Sequence, residues 1–140
     1  MAALAKIQPI SQQGPVRDIA SRPVLAAVKI FKGALLGITA AGFARPFATG
    51  DKMGGHAMDT VDNTDGGNGA VSVDASRGIY TLTVPVFDGV VLGDTGDDVT
   101  AVSDNHADLI KAVNTTDVVG KVSAVTVNGV QVTFKTFEVA

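Results

Sequence analysis

From Pro23 onward the chain is built of short runs of Val, Ile, Thr and Ala, each cut within a few residues by Gly, Asp or Asn. That pattern suits strands and tight turns and leaves little room for helices. Residues Met1–Arg22 differ in character: they hold two Gly/Pro breaks (Pro9, Gly14-Pro15), three glutamines (Gln8, Gln12, Gln13) and isolated aliphatics without a period. Charge divides the chain too. Residues 1–52 carry seven Lys/Arg against two Asp, about +5, and residues 53–140 carry four against twelve acids, about −8. The organisation this predicts is an extended N-terminal arm over residues 1–23 and a β-module over residues 24–140. An arm that cannot pack on itself suits a protein that binds by lying over a neighbour, not one that turns over a substrate.

A 140-residue chain forms one domain and buries roughly two-thirds of its unfolded surface. Six Phe, one Tyr and no Trp leave small β-branched and Ala side chains to fill the interior. Sixteen Gly and thirteen Asp supply tight turns, and a lone Glu (Glu138) argues against helices. The chain has no Cys, which excludes a disulfide framework, a thiolate metal site and a Cys nucleophile. No basic n-region leads into an apolar core, so no signal peptide is expected. The apolar stretch Ala34–Ala44 is too short to span a bilayer, and a soluble protein with no membrane partner is the expectation. A net charge of −3 gives no reason to expect nucleic-acid binding.

Along the chain, Leu25–Phe31 reads as a strand, Lys32-Gly33 as a turn, and Ala34–Thr39 as a second strand, whose Gly37 signals a bulge or a close backbone approach. Phe43–Phe47 is short and extended, and Pro46 confines it to a sheet edge or a bulge. Thr49–Gly55 reads as loop, His56–Thr60 as a strand and Asp62–Gly69 as a glycine-rich loop. Strands follow over Ala70–Asp74, Arg77–Val84 and Asp98–Val102. Ser103–Val113 is the one helical candidate, capped by Ser103 or Asp104, with His106, Leu109, Ile110 and Val113 on one face. Val118–Val127, Asn128-Gly129 and Val130–Val139 make a hairpin on a type I′ turn. The fold class is therefore all-β, a small antiparallel barrel or sandwich with one short helix and an extended N-terminal arm.

Reactive chemistry is sparse. Asp59–Asp74 invites a calcium reading, but it lacks the closing Glu of an EF-hand and the repeat of a calcium β-roll, which favours a solvated loop. Asp94, Asp97 and Asp98 form a second acidic turn of the same kind. His56 and His106 lie fifty residues apart and read as ordinary surface or half-buried side chains. No Gly-x-Ser-x-Gly elbow is present, and thirteen Asp make carboxylate pairs undiagnostic. No enzyme activity, cofactor or metal is expected. In the arm, Ile7, Ile10, Val16, Arg17, Ile19 and Arg22 read either as part of a disordered tail or, the favoured reading, as candidate partner contacts ordered when bound.

One stretch carries a family pattern. Lys32-Gly33-Ala34-Leu35 and Gly37-Ile38 are followed by Gly42-Phe43-Ala44-Arg45-Pro46, Gly50-Asp51, Gly55-His56-Ala57 and Thr60-Val61-Asp62-Asn63. Val71-Ser72-Val73 and Val119-Gly120-Lys121-Val122 come later. Over residues 25–135 this resembles the decoration (cement, or auxiliary head) proteins of tailed bacteriophages. The arm lies outside the resemblance, and Met53-Gly54 departs slightly from the turn pattern. The resemblance implies a small β-barrel or sandwich on the outer surface of the virion capsid. It further implies major capsid protein as partner, homotrimeric self-association, synthesis in the bacterial host cytoplasm, and no catalytic residues. The alternative from composition is a carbohydrate- or calcium-binding β-module of a phage tail or receptor-binding structure, disfavoured by the scarcity of aromatics for sugar stacking. A small hydrolase on a β-barrel is a further rival, which the missing nucleophile motif counts against.

Overall fold

The computed structural model describes Ile7, Gln12–Gln13 (backbone), residues 18–111 and residues 118–138. The hairpin expected from alternating residues is its backbone. β12 (Val118–Thr126) and β13 (Gly129–Lys135) pair antiparallel, and β9 (Ile79–Val84) joins the far side of β13 over six residue pairs. Val130, Val132 and Phe134 point inward opposite Val84, Leu82 and Tyr80. Period-two alternation sends these six to one face. β1 (Gln12–Gln13) extends the sheet at one edge; β10 (Asp98–Thr100) and β11 (Ile110–Lys111) extend it at the other.

A second layer is assembled from smaller sheets. β4 (Leu35–Ile38) runs between β5 (Ala44–Pro46) and β6 (Lys52–His56). β2 (Asp18–Pro23) pairs with β8 (Ser72–Arg77), and β3 (Lys29–Ile30) with β7 (Val61–Asp62). A bridge from Ala57 to Ala75 joins the β6 side to β8. Every residue of β4 is buried: Leu35 enters the core under the six-stranded sheet, whereas Leu36 and Ile38 enter a second core with Val24, Ile30, Ala44, Val73 and Ala75. The result is all-β and sandwich-like. As expected, mostly small side chains fill the two cores, with Phe134 the largest that is fully buried.

Several local expectations hold. The β4–β6 register slips at Leu36/Gly37, and a Cβ on Gly37 would lie 2.1 Å from Asp51 Oδ2, so both a bulge and a close approach occur there. Pro46 lies on β5, an edge strand.

Other expectations are corrected. Leu25–Phe31 is not a strand: Ala26 and Ala27 form a turn, with Ala27 at φ 61°, and only Lys29–Ile30 is extended. The cause is Asn63, whose Nδ2 donates to Leu25 O (2.9 Å) and Gly67 O (3.0 Å) and ties this segment to the Asp62–Gly69 loop. Thr49–Gly55 is not all loop, since β6 already starts at Lys52. The two glycines of β6 mark tight packing: a Cβ on Gly55 (φ +100°) would sit 1.8 Å from Ser76 O. The strand expected over His56–Thr60 ends at His56. Over the described residues 103–111 there is only a 3-10 turn, His106–Asp108, capped by Asn105, and then β11; Ala112 and Val113 lie outside the described residues. An i, i+3 apolar pair such as His106 and Leu109 suits a 3-10 turn as well as a helix. In the hairpin the turn residues are Val127 and Asn128, neither at positive φ; Gly129 carries the positive φ instead.

Candidate binding surface and a buried histidine pair

Two described stretches of the arm are backbone-paired to the module. Asp18–Pro23 pairs residue for residue with Ser72–Arg77, and Gln12 and Gln13 pair with Leu82 and Thr81. β8 and β9 are separated by Gly78 alone, so the arm follows both in one direction. Four residues on the arm side (14–17) against three on the other (78–80) separate the two ladders. The arm thus occupies the edge that β8 and β9 would otherwise leave open, which protects them from uncontrolled pairing.

The candidate partner contacts divide accordingly. Ile7 is 57% exposed and Ile19 51%, placing both at the surface. Arg22 is engaged within the chain: its Nε donates to Gly54 O at 2.8 Å, its guanidinium pairs with Glu138 and it lies 5.3 Å from the Phe137 ring centroid. Ile10, Val16 and Arg17 lie outside the described residues. At the other end of the β2–β8 ladder, Arg77 pairs with Asp18. The Arg77 hydrogen bond, helped by the Ile19 N–H, holds the Asp18 carboxyl below its usual range. The arm's root is therefore tied both to β8 and to the end of the chain.

Beyond β13 a groove of about 800 Å³ opens between the end of the hairpin sheet, the start of β6 and Phe137. Ile79, Val118 and Phe137 give it an exposed apolar floor. Lys52, Lys121 and Lys135 stand around it. Its two carboxylates are already engaged: Asp51 is forked by Arg45 (2.9 and 2.7 Å), and Asp98 accepts from Lys121 Nζ at 2.7 Å.

His56 and His106, expected near the surface, are fully buried and in contact. His56 Nε2 lies 2.8 Å from His106 Nε2, and His56 Nδ1 lies 2.6 Å from Tyr80 Oη. Phe134 packs against both imidazoles. Desolvation pushes His106 down to about 4, because a charged imidazole loses its water there. Two facing ring nitrogens at hydrogen-bond distance need one N–H and one lone pair, so both rings cannot be charged at once. The gap is also too short for an ion between them, since each Zn–N bond alone takes about 2.0 Å. Ser76 Oγ bonds the His56 backbone, accepting from its N–H at 3.0 Å. The pair is a polar joint between the two layers.

The Asp59–Asp74 segment is organised by its own turns. The Thr64 hydroxyl, and after it the Thr64 N–H at 2.9 Å, hold the Asp62 carboxyl below its usual range. Among the described residues no three His, Asp or Glu side chains converge as a cation site. The groove and the histidine pair escaped sequence reading because their residues come from distant strands and share no local spacing.

No protein-family model and no curated protein matches this chain. Among solved structures it is similar to the N base of head fiber gp8.5 of bacteriophage phi29, with a TM-score of 0.50 and 15% identity. The match spans 85% of this chain and 94% of that one. At that identity the likeness concerns the fold.

Proposed function

We propose that this chain is a structural protein of a bacteriophage head, seated on the outer surface of the capsid. The observation that carries this reading is the likeness in fold to a head fiber base over most of both chains. The sequence pattern shared with decoration proteins supports the same placement. In this reading the chain contacts major capsid protein, associates as a homotrimer and bridges neighbouring capsomers, after synthesis in the bacterial host cytoplasm. Several modest contacts made at once give firm attachment, because each bound site raises the effective concentration at the next. The arm supplies Ile7, Ile10, Val16, Arg17 and Ile19 to the partner, and Arg22 fixes the arm's root. No step of this role is catalytic.

Antibody raised against the chain tests the placement on intact particles of the phage that encodes it. Label around the head is expected. Label confined to the tail, or absent from intact particles, overturns the reading.

A further inference from the structure

The 3-10 turn Leu92–Asp94, which leads into β10, presents an apolar knob. Val91 and Leu92 project from it, and Leu92 is 72% exposed. The knob is rigid: Asp94 Oδ2 accepts from Val91 N at 2.9 Å, and Thr95 Oγ1 donates to Leu92 O at 2.7 Å. Its base is bonded to β12, with Gly96 N donating to Val122 O (2.7 Å) and Val122 N to Asp97 O (2.9 Å). Exposed Asp97 flanks the apolar pair on the same turn.

The groove beyond β13 has the opposite character. Its floor is apolar, with Phe137 45% exposed, and its carboxylates are engaged by Arg45 and Lys121. Lys52 lies over the Phe137 ring at 5.8 Å. Lys135 makes no ion pair among the described residues. The groove therefore offers apolar surface beside two ammonium groups not matched by acids, on a chain whose net charge is −3.

We propose that the groove of one copy seats the Val91–Asp97 turn of a second copy, with Val91 and Leu92 on the Ile79–Val118–Phe137 floor and Asp97 facing Lys52 and Lys135. Exposed apolar side chains beside carboxylates meet apolar floor beside ammonium groups, so hydrophobic burial and charge complementarity act in the same direction. The turn adjoins the groove of its own chain, since Gly96 lines it, so two copies can each seat the other's turn in a closed pair or pass the contact on around a ring. It holds whether or not the chain binds a phage head.

The test is sedimentation velocity of the full chain, without heads, over a concentration series at low and high salt. Wild type is expected to assemble, less tightly at high salt. Leu92→Asp, which removes the knob, and Lys52→Glu/Lys135→Glu, which reverses the rim, are each expected to weaken assembly by about tenfold or more. The folds of both are checked by circular dichroism. Mixed together, the two variants are expected to form a pair, since one keeps the groove and the other the knob. A wild type that stays monomeric at every concentration, a variant that assembles like wild type, or a mixture that forms no pair each overturns the proposal.

Discussion

His56 and His106, fifty positions apart in sequence, meet in the interior with their Nε2 atoms 2.8 Å apart. One imidazole comes from the end of β6 and the other from the 3-10 turn before β11, while Tyr80 and Phe134 of the six-stranded sheet surround them. The contact joins the two layers through hydrogen bonds that cannot survive with both rings charged, in a site whose burial disfavours even one charge.

Acid is therefore expected to loosen the fold. A histidine of ordinary value 6.5 when unfolded and about 4 when folded takes up its proton more readily in the unfolded chain. Stability is full above 6.5 and is lost as pH falls from there toward 4, by on the order of 3 kcal/mol in the limit. Urea midpoints from pH 8 down to pH 4.5 measure this, and His106→Gln is expected to flatten the profile. A wild-type midpoint constant across that range contradicts the role given to the pair.

Tyr80→Phe removes the hydroxyl that lies 2.6 Å from His56 Nδ1 and is expected to cost about 1–3 kcal/mol, as for a buried hydrogen bond broken on one side. Chemical denaturation gives the value. A neutral result shows that the hydroxyl contributes nothing to the joint.

Two glycines separate tight packing from plain loop. Gly55→Ala places a Cβ 1.8 Å from Ser76 O at φ +100°, and a loss of about 3 kcal/mol or more is expected. Gly67→Ala meets nothing within 4 Å and is expected to stay within about 0.5 kcal/mol of wild type. Thermal or urea unfolding of the two side by side decides it; equal effects contradict the packing of β6 on β8.

Asn63→Ala unties the Leu25–Ala27 turn from the glycine-rich loop. Asn63 is 2% exposed, and its amide donates to two backbone carbonyls at 2.9 and 3.0 Å. A loss of about 2–3 kcal/mol is expected, with amide exchange rising first at Ala27, whose N–H bonds Asn63 O at 3.0 Å.

These residues show what the sequence made legible. The Val118–Lys135 hairpin could be read because alternation and turn residues are local signals. Gly37 and Pro46 could be read because each carries a backbone constraint. Gly55 was misread because glycine marks a turn and a close approach alike, and only the Ser76 carbonyl, twenty-one residues away, tells them apart. The Ser103–Val113 helix failed because spacing of three fits a 3-10 turn equally well. The histidine pair and the groove are products of topology. The arm's contrast in composition was plain, but its pairing with β8 and β9 was not, since Met1–Arg22 has no alternating period to announce a strand.

That pairing refines the experiment that bears most directly on the proposed role. Removal of residues 1–17 leaves the Asp18–Pro23 ladder on β8 intact, so an 18–140 chain loses the outer arm without losing its root. Full-length and 18–140 chains are sedimented with empty heads of the encoding phage. Full-length chain is expected to pellet with the heads and the shortened chain to pellet less at equal concentration. Equal pelleting by both contradicts the arm's part in binding, and pelleting by neither contradicts the assignment to the phage head.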